Sequence, residues 1–373
     1  MTSQPNDYLS AIKNLDEDFK IYMIVVFIFI ILLIFIGYMI YLNKLKGREC
    51  DYMNNLYPSV DGYLKPLTSD DTDCSGNLYD YYIKTAYNSC SGGSYKNDFV
   101  DLCNLKAVIK QGVRCLDFEI YSLDNKPVVA TSSVDDYYVK ETFNSVSFSD
   151  VMDTISNYAF SGGTCPNPTD PLLIHLRIKS NNIKIYSKLA DIFKSYDSIM
   201  LGEDYSFEYS GKNLGTVPLL ELKNKIILMV DRSNTTFLQD EHFLEYVNLT
   251  TNSIFARSYD YYNIKNNPDT QELTEYNKRN MTIVLPDKGI NPSNPSSILS
   301  RTYGCQMVAI RYQLVDNFLM EDNAFFDRNG YAFALKPAPL RYVPVTIPTP
   351  TPQLEEYSYA TRKAETDFYS FKF

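Results

Sequence analysis

The run IYMIVVFIFIILLIFIGYMIYL, residues 21–42, constrains this chain more than any other segment. It carries no charge over about 22 residues, which at about 1.5 Å per residue is long enough to cross a bilayer as one helix. Tyr22, Tyr38 and Tyr41 near its ends fit an aromatic belt, and Gly37 is tolerated in such helices. A cleaved signal peptide is disfavoured: the run is too long, it follows the acidic Asp16, Glu17 and Asp18, and it lacks a small-residue cleavage site. The expectation is a single-pass membrane protein whose partner through residues 21–42 is the lipid bilayer.

Lys44, Lys46 and Arg48 follow the run and Lys13 and Lys20 precede it, so the positive-inside rule favours the remainder of the chain in the cytosol by one charge. Sequons at Asn234, Asn248 and Asn280 argue for the opposite side, but an Asn-rich chain produces about this many by chance. A net charge of −10 argues against nucleic acid and against anionic lipid surfaces, which both need a basic face. Abundant Asn, Tyr, Ile and Lys with no Trp suggests an AT-rich genome.

Beyond the anchor, VRCLDFEIY, PLLIHLRI, KIILMV, NSIFAR and CQMVAIRY are short apolar and β-branched runs that predict strands. Between them, residues 147–160 and 182–196 carry helical spacing, the second with Ile183, Ile185, Leu189, Ile192 and Phe193 on one face. Strands alternating with helices predict an α/β fold with a parallel sheet. Residues 1–20 read as a polar head and 43–75 as a mostly irregular juxtamembrane stretch. Residues 344–373 read as a Pro/Thr spacer, extended like polyproline through VPVTIPTPTPQ, followed by an aromatic tail.

Several strings carry a family resemblance. The segment GCQMVAIRYQLVDNFLMEDNAFFDRNGYAFALKP, residues 304–337, resembles the end of the Y region of eukaryotic phosphoinositide-specific phospholipase C, where GCQxVAxNxQ precedes a NGxxGYxLKP strand. GVRCLDFEIY (112–121) resembles the RCLELDCWDG strand of the X region, and KTAYNSCSGG (84–93) and PVVATSS (127–133) stand where the family has SSHNTYLTGD and PxxYHGxT. VPLLELKNKIILMV (217–230) and EYNKRNMTIVLPDKG (275–289) resemble SPExLKGKILIK and YNKRxLSRIYPKG. The resemblance implies a distorted TIM-like (β/α)8 barrel behind the transmembrane helix. Its X-like half would span residues 76–230, a short linker 231–240, and its Y-like half 241–343.

The same resemblance implies a changed site. The family's two catalytic histidines fall at Tyr87 and Thr131, neither of which can carry the required proton traffic near neutral pH; losing even one such group costs about 10²–10⁴-fold. Three calcium ligands map to Asn88, Asp117 and Glu119, with the two acids on one face of a strand. The fourth maps to Arg177, whose planar fork should pair with both acids in place of the metal. Two head-group lysines map to Met229 and Asp231, and an arginine to Ile283; the substrate serine falls near Arg257 and Ser258. The implied reading has no catalytic residue, no bound calcium and no other cofactor.

The function expected is therefore that of a pseudoenzyme: a membrane-anchored, inactive phospholipase C-like barrel acting as a structural or interaction protein with a protein partner. A large DNA virus and its virion membrane would suit such a chain. The alternative is a calcium-independent phosphodiesterase using Asp117, Glu119 and His175 on a different substrate. Among seven cysteines, Cys115 and Cys305 occupy strand positions that are cysteine in the family and read as buried thiols. Cys50, Cys74, Cys90, Cys103 and Cys165 have no metal-site spacing, and one or two disulfides are open among Cys74, Cys90 and Cys103.

Overall fold

The computed structural model describes residues 16–134, 138–344, 350–351, 357 and 359–373. Most of the polar head and of the Pro/Thr spacer lies outside these residues. The first helix, α1 (Glu17–Leu56), has acidic Glu17 and Asp18 in its opening turn, which suits the helix dipole. It ends before Tyr57-Pro58, where the pre-proline position disfavours helix. Its most apolar window has a mean hydropathy of 3.2 with no residue buried, so it is long and apolar enough to cross a membrane.

Residues 43–56, expected to be irregular, instead continue this helix. No proline interrupts it, and the continuation buries Met53 and Glu49. The same continuation brings Cys50 against Cys103, with which it forms a disulfide. The bridge expected within Cys74, Cys90 and Cys103 thus has a different partner, one that a disordered juxtamembrane stretch would not have positioned. Cys74, Cys90, Cys115, Cys165 and Cys305 are buried free thiols.

The sheet runs through β1 (Tyr81–Ala86), β2 (Cys115–Leu123), β5 (Leu172–Ile178), β6 (Ile226–Asp231), β7 (Leu249–Thr251), β8 (Ala256–Asp260), β9 (Met281–Leu285) and β10 (Met307–Ile310). Their order is β7-β6-β5-β2-β1-β10-β9-β8, and each ladder along it is parallel. This is a nearly closed, eight-stranded TIM-like barrel. Strands β3 (Lys126–Ala130) and β11 (Phe333–Leu335) add antiparallel to β2 and β1, and β4 (Val146–Ser147) adds antiparallel to β3. NSIFAR, expected as a strand, is mostly the connection between β7 and β8: Asn252 has a φ of 57° and Ser253 N donates to Ala256 O.

Helices α2 (Leu102–Lys110), α3 (Phe148–Ala159), α4 (Lys184–Lys194) and α5 (Asn317–Asn329) cover the barrel. Asp101 and Asp316 cap α2 and α5 by accepting from Cys103 N and Leu319 N. Ile185, Leu189 and Phe193 of α4 are buried as the spacing requires, whereas Ile183 is exposed at its N-cap. Alternation along the strands makes two apolar layers. Leu116, Phe118, Ile174, Leu176 and Leu228 face the helices, while Cys115, Leu173, Ile227, Met281 and Met307 fill the barrel interior.

The strings that carried the resemblance hold the frame together. Gln306 Nε2 donates to the carbonyls of Tyr79, Asn277 and Asn280, and its Oε1 accepts from Thr282 N. Lys336 Nζ donates to Asn277 O at 2.8 Å. Gly330 ends α5 at a φ of 72°, where a side chain would be strained. Residues 342–373 form a separate unit. Within it, β12 (Lys363–Glu365) and β13 (Ser370–Lys372) pair antiparallel, and the rings of Tyr369, Phe371 and Phe373 follow one another at 5.6 Å.

Candidate functional site

The site lies inside the barrel at the carboxyl ends of its strands. Period-two alternation sends Asp117 and Glu119 of β2 to the interior, and the parallel register sets them beside His175 and Arg177 of β5. Asn88 follows the end of β1 with a φ of 44°. Asp117, Glu119 and His175 have no solvent exposure, and Arg177 and Asn88 are buried.

The Arg177 guanidinium sits at the centre. Its Nε donates to Asp117 Oδ1 at 2.9 Å and Nη2 to Asp117 Oδ2 at 2.6 Å, a bidentate fork. Nη1 donates to Glu119 Oε1 at 2.6 Å, and Nη2 also reaches Asn88 Oδ1 at 3.0 Å. The acids gain further partners. Asp117 bonds His175 Nδ1 at 2.8 Å and accepts from Asn88 N, while Glu119 accepts from Lys288 Nζ at 2.8 Å, Tyr121 Oη and Ser132 N.

Burial alone would push both carboxyls up. At Asp117 the Arg177 guanidinium and His175 outweigh it and hold the group well below the usual carboxylate range. Glu119 is likewise lowered against burial by Lys288 and Arg177. The buried Asp117 and Glu119 carboxylates are thus balanced by the buried Arg177 guanidinium and the partly exposed Lys288 ammonium.

Calcium requires six to eight oxygen ligands drawn from carboxylates, carbonyls and water. The residues present do not fit it: the carboxylate oxygens and Asn88 Oδ1 that would ligate the ion all accept from cationic or neutral donors, with a guanidinium among them. The positions expected from the two histidines lie beside this centre. The Tyr87 ring lies 4.7 Å from the Arg177 guanidinium and edge-on to Tyr95, with centroids 5.4 Å apart. Burial pushes the Tyr87 phenol up, with Arg177 opposing, so it is further from acting as a base than a free tyrosine. Thr131 Oγ1 donates to Tyr95 O at 3.2 Å.

Met229 and Ile283 are buried among the apolar residues of the interior. Asp231 accepts from Ser233 and Asn252 at the rim. Arg257 pairs outward with Glu272, away from Ser258, which lines a cavity of about 420 Å³ together with Arg177, Lys179, Asp231, Asp260 and Lys288. The structure therefore brings Tyr87, Asn88, Asp117, Glu119, Thr131 and Arg177 together, sets Asp231 at the mouth, and leaves Met229 and Ile283 in the packing.

Three participants escaped sequence reading. Lys288 stands in the LPDKG string and was legible there as a charge, but not as the partner of Glu119, 169 positions away. Tyr121 is two residues beyond Glu119 on the same strand, a spacing that could have flagged it. Tyr95, which links the Tyr87 and Thr131 positions, carried no local signal.

The description of the phosphatidylinositol-specific phospholipase C X domain matches residues 74–232, and that of the Y domain matches residues 232–339. Among solved structures, the chain is similar to PLC21 of L. pealei, with 17% identity and a TM-score of 0.60, and to PLC21 of S. officinalis, with 18% identity and a TM-score of 0.59. Each alignment covers 73% of this chain and 38% of the other, so the chain spans well under half the length of those proteins. At that identity the likeness bears on fold alone. No curated protein sequence matches. The two domain matches meet at residue 232 and together take in most of the chain, which thus carries a phosphatidylinositol-specific phospholipase C X domain followed by a Y domain.

Proposed function

We propose that this chain is a membrane-anchored, catalytically silent phospholipase C-like barrel that serves as a structural or interaction protein. The observation that carries the reading is the Arg177 guanidinium bonded at once to Asn88, Asp117 and Glu119. It supplies positive charge where the family's calcium would sit, while Tyr87 and Thr131 provide no group that exchanges protons near neutral pH. A hydrolase using His175 is less well supported, because that residue is fully buried with both ring nitrogens engaged, one by Asp117 and one by Thr251.

The Cys50–Cys103 bridge supports an oxidising compartment for the barrel, against the single-charge excess that favours the cytosol. A covalent pair constrains compartment more tightly than an excess of one basic residue. The deciding experiment is calcium titration by calorimetry on the full chain in detergent micelles, with phosphoinositide hydrolysis assayed in the same preparation. The expected result is no heat of binding and no turnover. Calcium binding with turnover would overturn the proposal.

A further inference from the structure

The joint between α1 and α2 gathers three side chains that the sequence keeps apart. Cys50 of α1 meets Cys103 of α2 across 53 positions, and Asp101 caps the same end of α2 by accepting from Cys103 N. The two sulfurs and an Asp101 carboxylate oxygen lie within 4.8 Å of one another. All three residues are partly exposed, whereas Cys74, Cys90, Cys115, Cys165 and Cys305 are buried. Among the described residues, this is the one set of three or more His, Cys, Asp or Glu side chains that converges so closely. Sequence spacing did not reveal it, because its sulfurs come from two different helices.

Oxidised, the sulfurs satisfy each other as a disulfide, and Asp101 Oδ2 lies 3.4 Å from Lys46 Nζ. Reduction changes what the place can do. A dithiol or a phosphine supplies two electrons and is itself oxidised; with two protons, the S–S bond opens to two thiols. Two thiols and a carboxylate, held by two helices, are donors of the kind zinc takes, with sulfur at about 2.3 Å and carboxylate oxygen at about 2.0–2.2 Å in a tetrahedral set. Two sulfurs on one such ion stand about 3.8 Å apart. With the Cα atoms of Cys50 and Cys103 5.7 Å apart, rotation of the two side chains supplies that separation.

The surroundings suit the change. Cys103 is the second residue of α2, where the helix dipole favours an anionic sulfur. The Lys46 side chain is 51% exposed, so it leaves Asp101 for water at little cost.

We propose that Cys50, Cys103 and Asp101 form a zinc site when the bridge is reduced, with water as the fourth ligand. The tie between α1 and the barrel is then a disulfide in one redox state and a metal in the other. Binding releases the two thiol protons to solvent. This rests on the geometry of the joint and not on the catalytic silence of the barrel. A cytosolic barrel, which the excess of one basic residue favours, would keep both thiols reduced, and there the metal takes over the tie that the disulfide makes in an oxidising compartment.

Co²⁺ is the probe, since its tetrahedral thiolate complexes absorb in the near ultraviolet and the visible. The full chain in detergent micelles would be reduced with a phosphine, freed of reductant under argon and titrated with Co²⁺. The expected result is a set of thiolate-to-cobalt bands that saturates at one equivalent, bleaches on addition of Zn²⁺ and is absent from the oxidised chain. Cys103→Ser should lose the bands. Asp101→Asn keeps the α2 cap, because Asn caps a helix as well as Asp does. It should nevertheless bind at least about tenfold more weakly, the cost of losing even an outer partner of a metal site. The comparison of reduced with oxidised native chain needs no variant, so it decides even where a substitution unfolds the protein. A reduced native chain without the bands would overturn the proposal, as would equal bands from the oxidised chain or from folded Cys103→Ser, or native affinity in Asp101→Asn.

Discussion

Arg177 meets Asp117 with two hydrogen bonds, Nε to Oδ1 at 2.9 Å and Nη2 to Oδ2 at 2.6 Å, inside a barrel that buries both side chains. Removing one partner of such a pair leaves an uncompensated buried charge. Arg177→Ala is therefore expected to destabilise the barrel by about 3–5 kcal/mol. Arg177→Lys, with a point charge and no fork, should fall between that variant and the native chain. Urea unfolding in micelles measures both, and an Arg177→Ala chain as stable as the native one would contradict the assignment.

The same pair sets the acid limb of stability. Asp117 and Glu119 have folded values held below their unfolded ones, so their contribution is present above the unfolded range, about pH 4. It is lost as pH falls through the folded values. The contribution of this pair should thus be constant above about pH 5 and decline below about pH 4, with a shallower decline in Arg177→Ala. Thermal melting across the acid range tests this, and parallel curves for the two chains would count against it.

Lys336 works in the opposite pH region. Burial lowers its ammonium, against Cys305 and Asp80, from 10.5 to about 7. Its contribution is complete above pH 10.5 and is lost as pH falls toward 7, because over that range the unfolded chain takes up a proton that the buried amine of the native chain does not. Lys336→Met should therefore gain on the native protein steadily between pH 10 and 7. The readout is the slope of the stability difference, since the lost bond to Asn277 O acts equally at each pH. A slope of zero would refute the burial argument.

A thiol count checks the Cys50–Cys103 bridge. The denatured chain should react with five equivalents of a thiol reagent before reduction and seven after. Cys50→Ser should lower stability by about 2–4 kcal/mol, as expected for a loop of this length. Seven reactive thiols without reductant would remove the bridge.

The sequence made the barrel legible because its strands alternate and its motif strings are structural. GCQ, YNK and LKP name groups that bond one another, Gln306, Asn277 and Lys336, and a fold that keeps those bonds keeps those letters. The pairing of Arg177 with both acids was readable because strand period two fixes which side chains share a face. Lys288 and Tyr95 were not readable, since loop length and course decide where they arrive. The span 43–56 misled for a related reason: its polar residues look like linker, and only packing against α2 makes them helix.

Because α1 runs without interruption from Glu17 to Leu56, the number of residues between Leu42 and Cys50 sets an angle as well as a height. Each residue added or removed there turns the barrel about the helix axis by about 100°. Insertions of one or two residues would swing a different wall of the molecule toward its neighbours in the plane. Insertions of seven would return it nearly to its starting azimuth and lift it by about 10 Å.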